Sequence, residues 1–520
     1  MNSAEDTQSQ RQTAADKLIK LVTNECQLIH DHKNEPFAVT CTGNIRQVYH
    51  LAGKGFLDFF SNRYYQENKA AISEMNFKTA LAALSGSAKY DGEEHEVFTR
   101  VARTADAYWV DLCNTNWEAV RIDENGWTVC SGPGVPLFQR SSSMQAIPTP
   151  IRGGTLDQLW ALINVQVDDR LMILAWLIES LRSDTPHVLL ELVGEQGSAK
   201  STTQEFLRKL IDPNAANLRS APKRVEDIWI GANNCHVVSF ENISFLPPAF
   251  QDALCVLATG GAHATRTLYT NKEEAIIQLC KPIVINGIVV NVTAQDLLDR
   301  CLHIELPVVE HRLSKRNVEQ TYATFHPQIV GALFDQFALA LKLLPNISIA
   351  DADKPRMVDF ANLGEAVFQA NGHEFGVFLS RYKVMRQNGV HRTISSSPIG
   401  TALSQYLSVN PSGWNGQLIG LLNTLDHYKP MGEYNWPKSA KGMGDALRRL
   451  SPALRTLGFN CKSNTKTGGF ITWEITPIPT KSHFQCPGSP DVLESGLAGH
   501  AGHEIHDSDD KLPYELEDQF

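Results

Sequence analysis

The sequence predicts an α/β protein: a P-loop core, an N-terminal α+β domain before it, and a helical connector and C-terminal winged helix after it. Three observations carry this. An apolar run of strand length, 188–193, ends in Gly194-Glu195-Gln196-Gly197-Ser198-Ala199-Lys200-Ser201-Thr202 and opens into a helical pattern with Phe206, Leu207 and Leu210. Two more buried-strand patterns follow, one ending in Glu241-Asn242 and one in Asn286-Gly287. Near the C-terminus, helical stripes give way to a hairpin pattern amid many Lys and Arg.

The loop 194–202 has the composition that phosphate binding needs. Gly194 and Gly197 let backbone N–H groups turn inward around phosphate oxygens. Lys200 supplies positive charge for the β- and γ-phosphates, and Ser201 a hydroxyl for Mg²⁺. The helix that follows points its N-terminus at the anion. ATP and Mg²⁺ are the expected cofactors. Ala199 stands where Gly usually precedes the Lys, and a methyl there is tolerable if φ is below zero. A chance Gly/Ser turn is the bland alternative; the order of the downstream elements argues against it.

At 520 residues the chain is too long for one core, so three or four domains are expected. Hydrophobic content of 42% and charged content of 20% are ordinary for a globular protein. No unbroken apolar run reaches membrane-spanning length, so no membrane contact is expected. Residues 1–16 are polar and lack a secretory signal, and the ten cysteines are scattered with no Cys-x-x-Cys. A cytoplasmic protein with buried thiols is expected. The net charge is −10, but residues 480–520 hold −7 of it, leaving −3 for the rest. A local basic face is therefore compatible with the total.

The expected division is as follows. Residues 1–135 form the α+β domain, with a helical pattern at Leu18, Leu21 and Val22 and strand pairs around 37–51 and 98–127. His30-Asp31-His32 reads as a polar turn rather than a metal site. Residues 136–154, rich in Pro, Gly and Ser, read as a linker. The core spans 155–310 and opens with a helical run over 156–182. A connector of amphipathic helices spans 311–395, the winged helix 396–478, and an acidic disordered tail 479–520.

Within the core, Glu241 ends the second buried strand and would hold Mg²⁺ through water. Where a second acid often orients the attacking water, the chain has Asn242. Asn can position water but cannot take its proton, so slow hydrolysis is expected. A helix over 247–257 precedes a flexible, partly basic stretch, 259–266, and a hairpin continuing from Leu268. The third strand ends in Asn286. Leu297-Leu298-Asp299-Arg300 then leads into an apolar strand over 302–306.

This order resembles the AAA+ ATPases, and within them the superfamily-3-type helicases of viruses, phages and satellite elements. It is similar to a group of bacterial and phage ATP-binding proteins related to primase-helicases. In that group Gly-Glu-Gln-Gly-Ser-Ala-Lys-Ser-Thr, Ala-Thr-Gly-Gly (258–261 here) and Leu-Leu-Asp-Arg recur. The resemblance is specific over about residues 155–310. It implies that Glu241 is the Walker B acid, although the relatives usually carry Asp there. It implies that Asn286 is sensor 1, touching the γ-phosphate and the attacking water. Arg300 becomes an arginine finger reaching the neighbouring subunit's nucleotide, and 260–272, with Arg266 and Lys272, becomes a DNA-contacting hairpin. A finger acting in trans requires self-association into a ring, expected as a hexamer.

The C-terminal pattern places one helix at Leu418, Leu421, Leu422 and Leu425, and another beginning after Lys438-Ser439 with Met443, Leu447 and Leu450 in its stripe. Ser451-Pro452 restarts helix, and a hairpin follows around 464–468. Lys438, Arg448 and Arg449 are the bases expected on DNA phosphates; a solvated face of a protein-binding module is the alternative. The function expected is Mg·ATP-driven work on single-stranded or forked DNA, as a helicase or translocase of a mobile element or phage. Two rivals stand beside it. One is a slow ATP-gated switch or loader that recruits a partner. The other is a DNA-binding replication initiator or regulator with a structural nucleotide.

Overall fold

A computed structural model of the chain describes residues 12–478 apart from Asn44, 267–273, 289–291, 311–312, 431–435 and 465–470. Its centre is a parallel sheet of β1 (Leu189–Val193), β2 (Arg219–Ser220), β3 (Val238–Glu241), β4 (Ile283–Gly287) and β5 (Cys301–Glu305). Their spatial order is β2-β3-β4-β1-β5, with every neighbouring pair parallel. All five residues of β1 and of β4 are buried, which is why both read as mostly apolar runs, broken only by Glu191 and by Asn286 at the end of β4. Leu192 lies opposite Asn286 and Phe240 opposite Ile285, so the carboxyl ends of β1, β3 and β4 meet at one edge. At the other edge Leu189 pairs with Cys301.

The run over 156–182 is not one amphipathic helix. It is a short turn of helix, Asp157–Trp160, followed by Arg170–Glu179, in which Met172 to Glu179 are all buried. A helix enclosed on every side shows no apolar stripe. It packs against the helices Lys315–Leu343 and Val358–Ala370, and Trp176 Nε1 donates to Val188 O at 2.8 Å. The segment Lys315–Asn346 is long and apolar enough to cross a membrane by length and composition, but half of its apolar window is buried in the protein. There Phe334 and Phe337 meet Trp127 and Tyr108 at 6.2 and 5.1 Å between ring centroids.

Those ring contacts join the N-terminal part to the connector, because Trp127 and Tyr108 belong to the former. The described residues between 12 and 478 belong to a single compact unit, with the connector helices inside its largest apolar cluster. Residues 136–154 are not a loose linker. Leu137, Phe138, Met144 and Ile147 are buried, and Ile151 N–H donates to Pro327 O at 3.0 Å. Pro, Gly and Ser here describe an extended packed strap. Arg100 strengthens the join: fully buried at φ +66°, it pairs with Asp212 at 3.0 Å beyond the loop helix Lys200–Ile211. The same guanidinium donates to the carbonyls of Asp111, Gln145 and Pro213.

The N-terminal part holds two four-stranded sheets. One contains Cys26–His30, a strand unmarked in the sequence pattern, beside Pro36–Thr42 and Ile45–His50. Asp31 makes the expected turn by accepting the Lys33 and Glu35 N–H groups at 2.9 and 2.8 Å. The thiols are not uniformly buried, since Cys41 is exposed. No metal-ligating cluster of three or more His, Cys, Asp or Glu exists among the described residues.

The C-terminal part runs helix Pro398–Val409, strand Trp414–Gln417, helix Leu418–Leu425, helix Ala440–Thr456 and strands Phe459–Ser463 and Thr472–Pro477. The first of these strands was not legible in the sequence. It pairs with the last, giving a sheet in which Thr472–Pro477 is central. Ser451-Pro452 does not interrupt the helix, which runs continuously through Pro452. Ser451 Oγ donates to Cys461 O at 3.1 Å. The 479–520 tail lies outside the described residues.

Candidate nucleotide site and basic face

Strand β1 stops at Val193 because Gly194 can go where no side chain can. A Cβ on Gly194 would lie 2.6 Å from Ser198 Oγ and 2.7 Å from Leu306 O. Gly197 has φ +92°. The loop then closes on itself, with Ser198 Oγ donating to Glu195 O at 2.9 Å and Ser198 buried beneath it. Glu195 and Gln196 form the exposed crest, and Thr202 lies half-buried within the helix. Ala199 corrects the expectation drawn from its methyl: φ is +56°, the left-handed region, just before the helix starts at Lys200. That conformation costs an Ala about 1–2 kcal/mol relative to the right-handed one, so the loop holds strain in the residue that introduces the helix.

Lys200 Nζ donates to the Gly194 and Glu195 carbonyls at 2.7 and 2.8 Å and lies 3.3 Å from Ser198 Oγ. Burial lowers its pKa from the ordinary lysine value. An ammonium held by neutral carbonyls in a glycine cradle at a helix N-terminus is a fit for phosphate oxygens. Ser201 is half-buried one residue on. Asn164 braces the loop from behind, its Nδ2 donating to Ser198 O at 3.0 Å and Pro307 O at 2.5 Å.

Beside the loop is a cavity of about 460 Å³. Leu162, Ile163, Val309 and Val318 give it apolar walls, while Gly197, Ala199 and Thr202 form its loop-side edge. Its size and lining suit a flat heterocycle next to a polyphosphate.

Glu241 and Asn242 emerge from β3 at the same sheet edge. Asn242 takes φ +53°, which Asn tolerates better than most residues, and its N–H donates to Asn286 Oδ1 at 2.9 Å. Asn286 Nδ2 donates to Gln204 Oε1 at 2.6 Å. Gln204 Nε2 in turn donates to Ser239 Oγ at 2.8 Å and Phe240 O at 3.1 Å. The loop helix, β3 and β4 are thus joined through three amides. Gln204 was missed in the sequence; its signal was a polar residue on the buried face of an otherwise apolar stripe.

Arg300 lies at the opposite sheet edge, its carbonyl accepting the Leu189 N–H at 2.9 Å. Five residues of strand, roughly 16 Å, separate that point from the P-loop in the same chain. Its guanidinium is nearly buried and pairs with Asp296 Oδ1 at 2.8 Å; Arg356 meets the same oxygen at 2.5 Å. Asp299 pairs with Arg386 at 2.6 Å. Neither carboxylate role was visible in the sequence, because Arg356 and Arg386 come from distant helices.

The stretch 259–266 is not a flexible loop. Ala262–Arg266 is a strand paired antiparallel with Glu274–Gln278, which places Arg266 opposite Glu274. Lys272 lies outside the described residues. On the helix Ala440–Thr456, Lys441, Arg448, Arg449 and Arg455 are exposed, and Lys438 precedes it. Arg448 pairs with Asp445 at 2.7 Å and sits 5.6 Å from the Trp473 ring centroid.

Residues 156–385 match the family described as "Actinomycete integrative conjugative element replication protein". Residues 399–483 match the one described as "AICE RepA C-terminal domain". No curated protein matches the chain. Among solved structures, "SCCmec type IV Cch - active helicase" is similar at 10% identity and TM-score 0.44, over 87% of this chain and 92% of that one. The apo structure of the NrS-1 C-terminal region is similar at 11% identity and TM-score 0.38, over 89% and 98%. At those TM-scores the likeness carries no functional weight.

Proposed function

We propose that this relative of conjugative-element replication proteins is a cytoplasmic, Mg·ATP-dependent AAA+ ATPase that assembles into a ring and acts on DNA as a replicative helicase or translocase. The observation that carries the reading is convergence. The loop 194–202, Glu241 and Asn286 come from three strands and meet at one edge of a sheet, with the Asn286 strand between the other two. Clefts at the carboxyl ends of parallel strands are where such sheets bind ligands.

Bound ATP supplies the reactive γ-phosphoryl group, and Mg²⁺ neutralises its charge. In this chain, Lys200 exchanges its loop carbonyls for phosphate oxygens. Ser201 and Glu241 would hold the metal. Asn286, fixed by Gln204, and Asn242 orient the attacking water. Arg300 is too far from its own loop to assist there, so it serves a neighbouring protomer after release from Asp296. The exposed bases of Ala440–Thr456, with Lys438, contact DNA phosphates as the recognition helix and flank of a winged helix.

A second reading is favoured by Asn242. With no second acid to accept a proton, turnover is slow, and the ring works as an ATP-gated switch or loader. ATP hydrolysis measured with and without single-stranded DNA separates the two. Stimulated, repeated turnover supports the motor; about one turnover per binding event, indifferent to DNA, supports the switch.

A further inference from the structure

Away from the P-loop, a cavity of about 500 Å³ opens between the N-terminal sheet, the core and the hairpin strand Glu274–Gln278. Three buried bases line it: His187, His236 and Lys281, with 2%, 3% and 8% of their surface exposed. No hydrogen bond or ion pair of the Lys281 ammonium is found among the described residues, and the side chain keeps 8% of its surface exposed, so it is largely but not wholly enclosed. His187 Nδ1 is buried without a partner. His236 Nε2 is engaged, donating to Ser180 O at 2.6 Å.

The acids that could answer this charge are already used. Asp31 caps its own turn, and Glu35 pairs with His50 at 3.0 Å. Asp212 is claimed by Arg100, by Arg208 at 3.8 Å and by the His236 and Val237 N–H groups. Burial lowers the proton affinity of all three bases. The neighbouring His236 and Lys281 lower His187 further, and Lys281 lowers His236, which falls to about 4. An ammonium largely removed from water with no partner is costly, so an anion beside Lys281 would stabilise its charged form.

We propose that this cavity is a second, separate anion site that takes a small phosphorylated ligand. Lys281 and His187 face the phosphate, and Phe37, Phe98 and Val101 offer an apolar wall to whatever body the phosphate carries. A volume of about 500 Å³ accommodates a mononucleotide as well as free phosphate. The hairpin strand contributes Ile276 and Ile277 to the wall, and Lys33 Nζ donates to Gln278 O at 2.9 Å. The occupant therefore touches the element that leads to the hairpin.

The test uses the full chain carrying Lys200→Ala, which silences the P-loop, so its result does not depend on the nucleotide-site reading. Calorimetric titration with inorganic phosphate should show saturable binding, and adding Lys281→Met should weaken it at least tenfold. Lys281→Met should melt no lower than its parent without phosphate, because an uncompensated charge has gone. AMP binding more tightly than phosphate identifies a nucleotide-like occupant; equal affinity identifies free phosphate. If Lys281→Met does not fold, His187→Gln gives the same comparison. Unchanged phosphate affinity in the variant, or no saturable binding in the parent, overturns the site.

Discussion

Asn286 Oδ1 accepts the backbone N–H of Asn242 at 2.9 Å, and that bond fixes the Asn286 side chain to the end of the neighbouring strand. Both amides then depend on Gln204, whose Oε1 receives Asn286 Nδ2 at 2.6 Å. Asn286→Ala should leave ATP affinity within about twofold and lower kcat on the order of 10²-fold, the scale of losing one aligned polar group. Gln204→Ala should produce part of the same loss without touching ligand. Steady-state hydrolysis beside calorimetric ATP binding checks both; an equal fall in affinity would make the network structural only.

Asn242→Asp should raise turnover. Asp tolerates the left-handed conformation that Asn242 holds at φ +53°, so the backbone bond to Asn286 survives while a base is added. An increase on the order of 10-fold is expected from a newly placed acceptor. Unchanged kcat would mean that proton removal does not limit the reaction.

Ala199→Gly should stabilise the protein. Relief of the left-handed strain is worth about 1–2 kcal/mol, and the greater freedom of Gly in the unfolded chain takes back about 0.4–1 kcal/mol. A net gain of up to about 1.6 kcal/mol, read as a rise in denaturation midpoint, is expected. A fall would mean that φ at 199 is not positive in solution.

Arg300→Ala should spare ATP binding and cut hydrolysis on the order of 10³-fold, because its own P-loop lies at the far sheet edge. Mixed with wild type, the variant should depress activity more than in proportion. Asp296→Asn should instead loosen the arginine, since that carboxylate holds both Arg300 and Arg356. Proportional activity on mixing would count against shared sites.

What was legible in the sequence was set by local chemistry. Gly194, Lys200 and the apolar runs of β1, β3 and β4 announce themselves because turn geometry and two-faced burial leave a pattern along the chain. The sign of φ at Ala199 left none, since the same residue type fits either basin. Residues 136–154 misled because Pro, Gly and Ser favour extended backbone whether it is solvated or packed. Trp127 on Phe334 and Arg100 on Asp212 join segments over a hundred residues apart, and such contacts have no period to read. Gln204 and Asp296 acquired their roles only when distant strands and helices brought them partners.

Neutralising Lys438, Arg448 and Arg449 together should lower DNA affinity and flatten its salt dependence, each lost phosphate contact removing about one unit of slope. Arg448 should contribute least, because Asp445 already pairs with it at 2.7 Å. Salt titrations by fluorescence anisotropy check this; an unchanged slope would make the helix a protein-contact surface.

The most direct measurement is ATP turnover by the full chain against single-stranded DNA concentration, beside Lys200→Ala. Turnover should rise with DNA to a plateau and vanish in the variant. Turnover that survives Lys200→Ala, or ATP binding with no hydrolysis at any DNA concentration, would contradict the proposed function.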